Sequence, residues 1–139
     1  PMPTVDHYQY LLEKYFPDQP VLICSDDLDW VKEQTLFKDD RFYLSETRIY
    51  YPDKVMNGTG AMESSLVPYY DLCMMTLCNG AIIANSSLSW WGAWLQKNRT
   101  QPVIAQDPWF GERLSFNNLK DLIPEDWIVE KIPADRIQQ

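Results

Sequence analysis

Asn85, Ser86, Ser87 and Ser89 place one amide and three hydroxyls within five consecutive positions. Side-chain oxygens of this kind accept hydrogen bonds from the amides of a starting helix, and the same amides, at the positive end of the helix dipole, attract an anion. The apolar stretch 81–84 ahead of them reads as a strand buried on both faces, and 86–97 behind them reads as a helix. Strand, polar turn and helix together suit a phosphate; the plainer reading is an ordinary helix cap. A second polar group, Ser25, Asp26 and Asp27, follows the expected strand 20–24, and Gln106 and Asp107 follow the expected strand 102–105. Adjacent aspartates invite a metal reading, yet neighbours after a parallel strand rarely point the same way and no third acid stands near in sequence, so no metal site is expected. One of the two aspartates is better used as an N-cap. On the residues alone, Asp71 is either a capping or a solvated acid near the start of the helix that precedes strand 81–84.

For these groups to meet, parallel strands must deliver them to one edge, because a doubly wound sheet binds ligands outside the C-terminal ends of its strands. The order of elements fits that requirement. Tyr8, Leu11, Leu12 and Tyr15 recur at the helical period within 5–16, and Pro17 stops that helix. A helix over 28–35 starts from Asp26 or Asp27, short extended pieces fall at 42–44 and 48–50, and 69–78 is helical. Asn57, Gly58, Gly60 and paired serines mark 52–65 as a loop. A last extended piece covers 127–129. The alternation implies an α/β fold with a Rossmann-like parallel sheet flanked by helices, in one domain over 1–139. Trp90, Trp91 and Trp94 are three of the six tryptophans, and Trp90 and Trp94, four apart, are expected to face the core together.

The net charge of −8 excludes a phosphate-backbone binder, so no nucleic acid is expected as partner. No apolar run reaches the roughly 18 residues of a membrane-spanning helix, and no leader sequence is read at the start. Arg48, Arg99 and Arg113 lie outside predicted helix interiors and are the arginines considered for contact with an anion. Cys24, Cys73 and Cys78 read as small buried hydrophobes of a reducing compartment, with neither disulfide nor zinc spacing. Glycosylation sequons occur at Asn57, Asn85 and Asn98; sugar on Asn85 would destroy the turn, so a cytoplasmic protein is expected.

The run 71–95, DLCMMTLCNGAIIANSSLSWWGAWL, resembles the signature segment of the glycosyltransferase family that contains the α-1,2-fucosyltransferases. VLICSDDLDWVKE at 21–33 and VIAQDPWF at 103–110 are similar to two further blocks of that family, in family order across roughly residues 5–130. The resemblance implies the C-terminal, donor-binding half of a GT-B-like enzyme moving L-fucose from GDP-fucose to a galactose hydroxyl of a glycan, with inversion and without a metal. By the same resemblance, Asp71 accepts from the guanine base; Asn85, Ser86, Ser87 and Ser89 belong to the donor-phosphate segment; Ser25, Asp26 and Asp27 lie near the nucleotide. The family's His-x-Arg-Arg-Gly-Asp-Tyr hallmark is absent: His7 is the only histidine and no two arginines are adjacent. The expectation is therefore a piece of a longer enzyme, inactive by itself, with the catalytic base unassigned and acceptor recognition elsewhere. A nucleotide-binding module without transferase activity and a structural α/β interaction domain are the alternatives.

Overall fold

The computed structural model describes residues 2–45 and 61–138, the side chains of 61–67 excepted. The apolar stripe read from the sequence forms helix α1 (Val5–Tyr15), which buries Leu11 and Leu12 together with His7 and ends at Phe16 ahead of Pro17. Strand β2 (Val21–Ile23) leads to α2 (Leu28–Glu33) and a 3-10 turn (Thr35–Lys38), and then to β3 (Phe42–Leu44), which pairs in parallel with β2. The expected piece at 48–50 and its Arg48, the sequon at Asn57 and the first part of the expected loop 52–65 lie outside the described residues. Positions 61–65 are helical instead, because α3 (Ala61–Thr76) begins eight residues before the expected 69 and runs through Pro68. Ala61, Met62 and Glu63 are good helix formers, and they outweigh the serine pair that marked the end of the expected loop.

Strands β4 (Ala81–Ile82), β5 (Val103–Asp107) and β6 (Ile128–Lys131) make a parallel sheet in the order β4-β5-β6, and helix α4 (Ser87–Trp94) connects β4 to β5. The strand expected at 81–84 to be buried on both faces is corrected here: Ala81 and Ile82 are half-buried and Ala84 is exposed, because among the described strands β5 is central, with Val103, Ile104 and Ala105 at 1, 0 and 0% exposure. Its two faces feed two cores. Ile104 packs with Leu11, Leu12 and Phe16 under α1, while Val103 and Ala105 pack with Ile83, Ala93 and Trp127 under α4. Alternate residues of one strand thus join the layers. Just before β4, Gly80 adopts φ +133°, where a Cβ would sit 2.9 Å from the Gln101 Cβ and 3.0 Å from the Pro102 carbonyl oxygen, so only glycine fits.

The tryptophans divide. Trp90 is half-buried against the α4-side core and donates Nε1–H to the Leu122 carbonyl at 2.8 Å. Trp94, expected inside, is 52% exposed and stacks on Trp90 with ring centres 5.3 Å apart. Gly92 and Ala93 occupy the buried face of this short helix, and Trp94 lies over its neighbour instead of beneath it. Finally, β1 (Met2–Pro3) pairs antiparallel with β7 (Ile137–Gln138), a contact between distant segments that no pattern in the sequence announces.

Candidate functional site

The β4–α4 turn forms as its residue types dictate. Ser86 is the N-cap of α4: its extended backbone turns the chain, and its Oγ accepts from Ser89 N–H at 3.2 Å and lies 2.9 Å from the Ser89 Oγ. That leaves the N–H groups of Ser87 and Leu88 without an intrahelical acceptor at the positive end of the dipole, with Ser87 itself exposed. Asn85 spans to the exit of β5, donating Nδ2–H to the Trp109 carbonyl at 3.0 Å and to the Pro108 carbonyl at 3.4 Å, after a cis Asp107–Pro108 peptide. Gln106, fully buried, donates Nε2–H to the Ile83 carbonyl at 2.9 Å. Its amide also faces Tyr8, whose hydroxyl pKa is raised by burial and partly restored by that amide.

A second group gathers where β2 and β3 end beside α3. Asp71, 5% exposed, accepts from the Ser45 hydroxyl at 2.6 Å. Burial, with the Asp71 charge adding to it, pushes the Cys24 thiol up to about 12, which keeps it protonated and unreactive. Ser45 was missed from the sequence, although its place directly after a strand was the available signal. Ser25 and Asp27 are locally engaged: Ser25 Oγ accepts from Asp27 N–H at 3.0 Å, and Asp27 Oδ1 accepts from Trp30 N–H at 3.0 Å as the cap of α2. Asp26 is exposed beside them. The contact of α3 with α4, where Met75 fills the space left by Gly92, connects the Asp71 group with the serine turn.

Some expected residues lie elsewhere. Arg99 pairs with Asp126 at 2.6 Å and donates to the Ala93 carbonyl, which removes it from the serine turn at the other end of α4. Arg113 is exposed in a 3-10 turn (Glu112–Leu114). Cys73 is exposed and not buried as expected, because α3 leaves that side uncovered; Cys24 and Cys78 are half-buried, and all three are free thiols. Among the described residues no three His, Cys, Asp or Glu side chains cluster as a metal ion would require, and no helix is long and apolar enough to cross a membrane.

Strand ends bearing a serine cap and a buried carboxylate are compatible with many nucleotide-binding enzymes; the sequence match narrows them. The model of glycosyl transferase family 11 matches residues 12–131, most of the chain and every element of the site. The chain belongs to glycosyl transferase family 11. Two relatives of this family 11 chain come from Escherichia coli. An alpha-1,2-colitosyltransferase is 35% identical over 128 residues, 91% of this chain and 38% of the relative. The O-antigen biosynthesis glycosyltransferase WbnK is 30% identical over 128 residues, 89% of this chain and 35% of the relative. The family 11 chain therefore spans little more than a third of the length of either relative. No solved structure matches it significantly.

Proposed function

We propose that this chain is the donor-binding part of a GT-B-like glycosyltransferase that moves L-fucose from GDP-fucose to a galactose hydroxyl of a glycan, with inversion and an α-1,2 linkage. The observation that carries this reading is the serine turn: exposed Ser87 and the first-turn amides of α4 lie at the C-terminal edge of a parallel sheet, where a diphosphate gains both hydrogen bonds and the helix dipole. The leaving group of the transfer is GDP, and donors aimed at its phosphates stabilise the charge that develops as the sugar–oxygen bond breaks. Asp71 supplies the carboxylate for the guanine N1 and N2 donors, with Ser45 fixing one of its oxygens. The overall charge of −8 opposes a dianionic ligand at long range, so the local dipole acts alongside cations supplied from outside this chain. Transfer without a divalent ion, and a cytoplasmic glycan precursor as acceptor, complete the proposal.

A second reading, transfer of a colitosyl group, draws on the name of the relative at 35% identity. Calorimetric titration with GDP, GDP-fucose, ADP and UDP, with and without EDTA, tests the donor assignment. Ser87→Ala weakens all nucleoside diphosphates alike. Asp71→Asn places an amide donor opposite a base donor and weakens GDP selectively by roughly 1–3 kcal/mol, with melting temperature as the control. Equal losses for GDP, ADP and UDP in Asp71→Asn would confine Asp71 to holding Ser45.

A further inference from the structure

Backbone pairing between β4 and β5 stops where the two chains separate, and side chains take over. The last main-chain bond is Ile83 N–H to the Ile104 carbonyl at 3.0 Å. In a continued parallel ladder the Ile83 carbonyl would next receive the main-chain N–H of Gln106. It receives the Gln106 side chain instead, at 2.9 Å. Two residues beyond Ile83, the chain sends an amide the other way, from Asn85 to the carbonyls of Pro108 and Trp109. The two amides thus cross the same gap in opposite directions, each ending on main-chain carbonyls of the facing segment. Gln106 is wholly enclosed and Asn85 half-buried, so both bonds are shielded from competing water.

We propose that Asn85 and Gln106 are positioning residues that lock the serine turn to the segment 107–110, acting on the donor through the placement of Ser86–Ser89 and not by touching it. This rests on the reading of that turn as the diphosphate site. The duty proposed for Asn85 is distinct from a direct contact with the donor: its Nδ2 donates to the neighbouring loop. A ligand contact and a positioning role differ in what they predict for the opposite segment, since only a strap transmits a change from position 85 to 107–110.

Hydrogen exchange by mass spectrometry on the whole chain, without ligand, reads the strap directly. Asn85→Ala, and Asn85→Asp, which keeps the shape but sets a carboxylate against two carbonyls, are expected to speed exchange in both 84–89 and 107–110 while α2 is unchanged. Gln106→Leu, which keeps the volume of the buried side chain, is expected to do the same. GDP affinity falls by about tenfold in each variant, the value of one shielded hydrogen bond, while guanosine affinity is unchanged. Because both residues act on one pair of segments, the double variant loses less than the product of the two single losses. Unchanged exchange at 107–110 in the Asn85 variants, fully multiplicative losses, or an equal loss for guanosine would overturn the proposal. If the unaltered chain binds no GDP, the donor reading fails on its own, and the exchange measurements still decide whether the strap exists.

Discussion

Replacing Gly92 with alanine tests the α3–α4 contact on which the two halves of the site depend. A Cβ at position 92 would lie 2.5 Å from the Sδ, 2.8 Å from the Cβ and 3.2 Å from the Cγ of Met75. The thioether sulfur can swing aside, but the Met75 Cβ is fixed to the α3 backbone, so the helices must separate by roughly half an ångström to restore contact distance. Two effects then compete. Alanine in a helix interior is favoured over glycine by about 1 kcal/mol, while forcing a methyl group into a packed contact costs roughly 1–3 kcal/mol. A backbone-fixed clash lies in the upper part of that range, which leaves a net loss of about 1–2 kcal/mol and lowers the melting temperature by about 3–8 °C in a chain of this size. Thermal denaturation followed by circular dichroism measures it. Gly111→Ala is the control, since a Cβ there meets nothing within 4 Å. Asp71 lies one helical turn before Met75, so Gly92→Ala also weakens GDP binding and Gly111→Ala does not. A melting temperature for Gly92→Ala at or above that of the unaltered chain would refute the close approach.

Trp90→Ala removes a ring that bonds to the Leu122 carbonyl and packs on the Trp127 side of the core, and costs roughly 3–5 kcal/mol in urea titration; Trp94→Ala, half exposed, costs about 1 kcal/mol. Asp27→Ala removes the cap of α2 and about 1 kcal/mol of stability, whereas Asp26→Ala leaves the urea midpoint within experimental error. His7 is wholly buried, and its pKa is lowered by that burial and by Arg136, against the opposing pull of Glu130. The unfolded chain therefore binds the imidazole proton more readily than the folded one, so stability falls as pH drops below about 6.5 and levels off below the folded-state value. Urea midpoints between pH 5 and 7.5 show this slope, and His7→Leu removes it; an unaltered slope assigns the acid sensitivity to other groups.

What the sequence reveals follows how local the cause is. The stripe of Leu11 and Leu12, the Asp27 cap and the strand–serine turn–helix at 81–94 all arise from interactions within a few residues, and each is legible. Trp94 was misplaced because its burial depends on α3 approaching α4 through Gly92, a tertiary contact that helical spacing cannot report. The central position of β5 belongs to pairing between strands; its apolar pattern alone does not distinguish it from β4. His7 was given no place in the expected core, yet the helical period carries it to the buried face with Leu11. Within the site, the residue types at 85–89 announced a cap and a possible anion seat. The destination of the Asn85 amide, more than twenty residues away at Pro108 and Trp109, could be seen only in three dimensions.

The pairing of β1 with β7 sets Met2 opposite Gln138 and Pro3 opposite Ile137, and Thr4 N–H adds a bond to the Arg136 carbonyl at 2.8 Å. These two segments leave the body side by side, so tension applied to them does not shear the parallel strands; it peels a short zipper one bond at a time. The first piece to come away under load is the lead-in to α1, and with it Thr4, whose carbonyl accepts from the His7 N–H at 3.1 Å in the first turn of that helix.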